Sequence, residues 1–243
     1  WYGIYHLARS AGAQPVAFAF GGEAEPADYA RAMADGGLLG LIGCVGLAQF
    51  FKEYFSKNGG TITSEQSYGS GDKDFKAQLT AIKGGQPDAI FASGYYNETG
   101  LIASQARELG IPAPLLGGDG WDSPSLVEVA GKAIEGSFFS NHFSNEDTSP
   151  HIQDFVKKFQ AKHGKVPDAM AALGYDSAKI LADAIKRAGT TEGKALRDAI
   201  AATKDYQGIT GRITLDEKRN ANKSAVILTI KDGKFTYFET LAP

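Results

Sequence analysis

The 243-residue sequence is short of several residue types, and each shortage closes off a class of function. Cysteine occurs once, so the chain forms no internal disulfide and offers no set of thiolates to a zinc ion. Cys44 sits among Leu41, Ile42 and Val45 with no His or basic residue beside it, and reads as a small buried hydrophobe rather than a nucleophile. Basic charge is not in excess: 25 Lys and Arg against 28 Asp and Glu give a net charge of −3. That removes the positive field on which a nucleic-acid binder depends. No uncharged apolar run reaches the ~20 residues needed to cross a bilayer; the longest candidate, Gly36 to Phe51, is too short and rich in glycine. Four histidines, His6, His142, His151 and His163, form no His-Glu-x-x-His pair, and there is no Gly-x-Ser-x-Gly elbow. Gly69-Ser70-Gly71-Asp72-Lys73 completes neither a phosphate-binding loop nor a dinucleotide fingerprint, and reads as a flexible strand-to-helix loop. The expectation is a non-enzymatic protein with no metal site and no cofactor.

What is present is an ordinary globular composition, 43% hydrophobic and 22% charged, of a length for one large or two small domains. The chain opens at Trp1 in domain-like sequence with no signal peptide legible, so an extracytoplasmic protein would have had its leader removed. Strands and helices alternate. Apolar runs bounded by Pro and Gly predict strands over Pro15–Phe20, Leu38–Val45, Asp88–Ser93, Pro114–Leu116 and Glu135–Ser140, and polar alternation predicts one over Thr61–Tyr68. Helical spacing predicts helices over Pro26–Ala34, Leu47–Ser56, Asp74–Lys83 and Glu98–Leu109. Ser123-Pro124 and Ser149-Pro150 each combine a capping serine with proline at the first helical position. Further helices are predicted over Ala169–Ala188 and Thr191–Ala202. Asp232-Gly233, between two apolar runs, predicts a terminal hairpin with a type I′ turn. Such alternation implies α/β architecture: parallel strands covered by helices in doubly wound, flavodoxin-like lobes.

In that architecture ligands sit beyond the carboxyl ends of strands. Two consecutive strands are followed by Gly94-Tyr95-Tyr96-Asn97-Glu98 and Gly117-Gly118-Asp119-Gly120-Trp121-Asp122-Ser123. Their ends are expected close together, bringing Tyr95, Tyr96, Asp119 and Trp121 to one rim. A carboxylate pairs with an ammonium group, rings supply cation–π attraction, and glycines let a ligand approach the backbone; together they suit a small zwitterion. The plainer alternative is that the glycines serve tight turns, Asp122 and Ser123 cap the next helix, and the aromatics cover the sheet edge.

The segment from Phe50 to Ser123, with its GYYNE and GGDGWDS loops, resembles the branched-chain amino-acid-binding proteins of ABC transporters, which are type I periplasmic binding proteins. AIEGSFFSNHFS (Ala133 to Ser144), AALGYDSAKILADAIKRAG (Ala171 to Gly189) and ITGRITLDEKRNANKSAVILTIKDGKF (Ile209 to Phe235) extend the likeness. The resemblance implies two flavodoxin-like lobes joined by crossovers, a small amino-acid ligand captured by hinge closure, and ABC permease subunits as partners. It implies a periplasmic or cell-surface location, with the membrane reached only through the transporter or a lipid anchor. By motif, Tyr95 would line the ligand and Asp119 would hold its α-ammonium group, with an Asp where some members carry Glu. Met170 and Tyr175, near the hinge, would be further contacts.

The same resemblance divides the chain into residues 1–46 as a partial first lobe, 47–140 as the second lobe, 141–203 as a return to the first and 204–243 as a return to the second. At Gly46–Leu47 the family's serine-bearing carboxylate loop, first crossover and opening strand of the second lobe are expected to be missing. Either segments are elided at that junction, or the chain is short and residues 1–46 pack on the second lobe. A sensing module of the same fold, or a recombined scaffold that binds nothing, are the alternative functions.

Overall fold

The structure is a computed structural model and describes residues 15–21 and 38–242, with side chains from Leu47 onward. The helix expected over Pro26–Ala34 lies outside the described residues. The chain divides into two compact units. One takes the described residues through Ser140 together with Leu228–Thr236; the other takes Asn141–Ile227 and the residues from Tyr237 on.

The first unit is built on strands β1 (Pro15–Gly21), β2 (Thr61–Tyr68), β3 (Ala89–Ala92), β4 (Leu115–Gly117) and β5 (Phe138–Asn141). Helices α1 (Leu38–Lys57), α2 (Lys76–Gly84), α3 (Tyr96–Glu108) and α4 (Pro124–Ala130) connect them. The seven-stranded sheet is completed by β9 (Ala225–Lys231) and β10 (Lys234–Leu241), in the order β10-β9-β5-β4-β3-β1-β2. Strands β1 to β5 pair in parallel, β1 lying between β2 and β3 with Val16 opposite both Ile62 and Ala89. The strand that the resemblance put in a first lobe is therefore hydrogen-bonded in this sheet. Chain direction across the sheet reverses between β1 and β3, which makes their carboxyl ends the topological switch point.

Burial explains the strand sequences. β3 is buried at every position, as a strand covered on both faces must be. Phe91 stacks on Phe51 of α1 at 4.3 Å between ring centres, and Phe51 on Phe55 at 5.4 Å. Of the two serines expected to cap helices, Ser123 does so, whereas Ser149 stands ahead of Pro150 at the expected helix start but makes no side-chain cap hydrogen bond. Ser123 Oγ accepts the Ser125 N–H ahead of α4, with Pro124 at the first helical position. At the hairpin between β9 and β10, Asp232 (φ 51°) and Gly233 (φ 70°) both take positive φ, as a type I′ turn requires. Their N–H groups donate to the Glu135 carboxylate at 3.0 and 2.6 Å.

The second unit holds α5 (Pro150–His163), α6 (Ala169–Ala188), α7 (Gly193–Ala201) and a three-stranded antiparallel sheet of β6 (Tyr206–Gly208), β7 (Gly211–Leu215) and β8 (Ala221–Asn222). Its core gathers Phe143, Ile152, Phe155, Val156, Ala169 and Ala172. Asp176, buried in α6, accepts hydrogen bonds from Ile209 N–H, Thr210 N–H and Thr210 Oγ1, each at 2.8 Å, and so ties the β6–β7 turn to the helix. Asp168 caps α6 through the Ala171 N–H, and Gly189 in the left-handed region ends it.

Two expectations need correction. Leu38–Val45 is not a strand: it is the first half of α1, continuous with the helical pattern after Leu47. A short apolar run fits a strand and a helix equally, and nothing at Gly46 breaks the chain, since an internal glycine costs a helix only ~1 kcal/mol. The Gly69–Lys73 loop is not loose. Gly69 N–H donates to Asp72 at 2.7 Å, Gly71 N–H to Glu98 at 2.9 Å, and the Gln105 amide clamps Lys73 C=O and Phe75 N–H. By compact unit, Leu228–Thr236 falls with the sheet and β6, β7 and β8 fall with the helices of the other unit.

Candidate functional site

The parallel strands end on one edge, and the loops after β3 and β4 meet there. Tyr95 occupies the N-cap position of α3 in extended conformation, its carbonyl accepting the Thr99 N–H at 3.0 Å. Its residue is 51% exposed, so the ring is presented rather than packed away. After β4, Gly118 opens a single turn of 3-10 helix over Asp119–Trp121, closed by Trp121 N–H to Gly118 C=O and Asp122 N–H to Asp119 C=O, both at 3.1 Å. Asp119 is half-buried at the start of that turn.

The two loops touch through glycine. A Cβ placed on Gly120 would stand 3.1 Å from Cδ1 of Tyr95 and 3.2 Å from the Gly94 carbonyl oxygen. The bare Gly120 backbone therefore lies directly against the Tyr95 ring, and Asp119 precedes it by one residue. Tyr95 and Asp119 share the rim, and Tyr96, half-buried, begins α3 beside them.

Trp121 is placed differently from the sequence expectation. It is 0% exposed, leans on Phe139, and fills the space that a side chain at Gly117 would need. It supports the rim from inside the core and does not line it. Met170 and Tyr175 lie in the other unit. Both are exposed on α6, and the Tyr175 ring rests 5.0 Å from that of Phe155.

Sequence reasoning passed over two supports. Tyr68, the last residue of β2, is buried edge-to-face on Phe75, and its hydroxyl occupies the place a Cβ on Gly94 would take. Ser93, directly after β3, is buried with no hydrogen-bond partner for Oγ among the described residues. Thr99 Oγ1 and Trp121 Nε1 share that condition. All three orphans lie on the two segments that build the rim, where each such group costs about 1–3 kcal/mol. The signal for Tyr68 was its position as the inward-facing end of an alternating strand.

Asp72 and Glu98 accept backbone N–H groups from Gly69 and Gly71, which ties the loop after β2 to the first turn of α3. Among the described residues no group of three or more His, Cys, Asp or Glu could hold a metal ion, and no helix is long and apolar enough to cross a membrane. A cleft of about 390 Å3 in the second unit is lined by Asp205, Arg212, Thr214, Asn222, Ser224 and Thr240, and includes none of the expected site residues.

Comparison with known proteins identifies the family and fold. Residues 42–234 match the family described as periplasmic binding protein. A leucine binding protein, LivK, from Thermotoga maritima superposes with a TM-score of 0.86 at 34% identity, covering 100% of this chain and 64% of that one. The branched-chain amino acid transporter substrate binding protein LivJ from Streptococcus pneumoniae, solved with isoleucine, gives 0.80 at 30% identity over 99% of this chain and 63% of its own. In sequence, Leu/Ile/Val-binding protein homolog 3 of Brucella melitensis is 29% identical over 80% of this chain. The chain spans about half the length of that curated relative, 53%.

Proposed function

The chain belongs to the periplasmic binding protein family, with the type I fold of its structural neighbours, and from that premise we propose that it captures a small branched-chain aliphatic amino acid for an ABC importer. The observation that carries the reading is the shared rim, with the exposed Tyr95 ring seated on Gly120 next to Asp119. In this reading the Asp119 carboxylate pairs with the ligand's α-ammonium group by charge-assisted hydrogen bonding. The Tyr95 face supplies apolar contact and cation–π attraction, and Tyr96 flanks it. Trp121 acts as a support. Two relatives whose names or contents concern leucine and isoleucine favour an aliphatic side chain. The location proposed is extracytoplasmic, the partners are permease subunits, and release to them follows hinge opening.

Isothermal titration with leucine, isoleucine and valine tests the reading. Binding of at least one is expected, and Asp119→Ala weakens it by at least about 1.5 kcal/mol. No heat with any of the three overturns the ligand class; unchanged affinity in the variant removes Asp119 from the site.

A further inference from the structure

We propose that Gly120 is a positioning residue that sets where the Tyr95 ring stands relative to Asp119, a role that rests on the proposed function of those two residues. Three observations converge on it. First, Gly120 is in a conformation that other residues adopt, since it is not among the glycines of positive φ. Its lack of a side chain therefore answers to space and not to backbone freedom. Second, the space is filled from two sides, by the Tyr95 ring at 3.1 Å and the Gly94 carbonyl at 3.2 Å from a Cβ at this position. Contacts that tight oblige a neighbour to yield by a few tenths of an ångström.

Third, the structure decides which neighbour yields. Gly120 itself is held from below, because Trp121 is fully buried and the turn is closed by two backbone hydrogen bonds. The Gly94 backbone packs against Tyr68, a buried residue whose hydroxyl takes the place of a Cβ there. The Tyr95 ring, half in solvent, is the part with somewhere to go. A methyl group at 120 therefore pushes the ring away from Asp119 and leaves the core in place. Ligand-facing groups must be held within about half an ångström of their productive geometry, so this shift reaches affinity without reaching the fold.

The test is a double-mutant cycle on Gly120→Ala and Tyr95→Ala, read by leucine titration and by the ring-proton resonances of Tyr95 in the free protein. Gly120→Ala is expected to weaken leucine binding by roughly tenfold, and to change affinity by less than about twofold when Tyr95 is already Ala. The Tyr95 ring resonances, identified by their loss in Tyr95→Ala, shift in Gly120→Ala. An equal loss of affinity in both backgrounds, or ring resonances that do not move, overturns the positioning role. The resonances need no ligand. A wild-type protein that binds no leucine sinks the proposed ligand class, while the ring shift still decides the role of Gly120.

Discussion

The two units keep their order by different means. Among the described residues, the ten largest fully buried side chains, from Trp121 and Phe51 to Leu115, all belong to the sheet unit. Both units leave some large apolar side chains exposed, Phe50, Tyr95 and Val129 in the sheet unit and Val166, Met170, Tyr175 and Leu181 in the helical one, but in the latter α7 buries no residue at all. Its irregular strands are fastened to α6 by one buried carboxylate. A sheet covered on both faces gains its stability from apolar area, and its loops can then be given to function. A unit with a thin core depends on a few polar fastenings, each expensive to remove once its donors are buried.

The contrast breaks most easily at the aromatic stack. Phe91→Ala should cost about 3–5 kcal/mol, and Leu181→Ala on the outer face of α6 under about 1 kcal/mol, by urea titration. Equal losses would mean that the α6 face is covered. Next in size, Asp176→Asn places an amide N–H against backbone donors and should cost about 2–3 kcal/mol. Hydrogen exchange would rise across Tyr206–Leu215 while β3 and β4 stay protected; loss of protection in both units would show that they unfold together. A smaller effect is expected from Gly94→Ala, about 1–2 kcal/mol from overpacking against Tyr68. Tyr68→Phe should recover part of it, since the hydroxyl is the group in the way.

The smallest effect is a pH dependence. Glu192 caps α7 by accepting the Lys194 and Ala195 N–H groups, which holds its carboxyl below the ordinary glutamate range. A depressed pKa in the folded state means that the cap is fully formed above the unfolded-state value and is lost as pH falls through the folded one. Helix α7 should fray on acidification before the sheet unit changes, and Glu192→Ala should remove that pH dependence. Amide exchange of Leu196 and Arg197, followed from neutral to acid pH, checks both.

Much of this was legible in the sequence for local reasons. Proline after serine, glycine after a helical run and Asp232-Gly233 between apolar strands act over a few residues, and their elements formed where expected. The rim was legible for a topological reason, since consecutive parallel strands end side by side. What was missed depends on distant partners. Strands β6, β7 and β8 are short, and the turn between the first two is held by Asp176, more than thirty residues earlier, which in a helical repeat reads as one more solvated acid. Trp121 reads as a rim aromatic until Gly117 is seen to leave it a socket in the core. Gly120 reads as a turn glycine until its neighbour across the edge is known.

The terminal hairpin has a consequence for how the protein is made. Strand β9 is an inner strand of the sheet, between β5 and β10, yet both hairpin strands follow β5 only after some eighty residues and are clamped back to Glu135 across nearly a hundred. While the ribosome is still finishing them, β5 and everything before it has emerged with one edge unpaired, a template for pairing with other chains. The sheet can close only after both hairpin strands have been made, so a stop codon placed before β9 would act on the assembly of the whole first unit and not merely trim its rim.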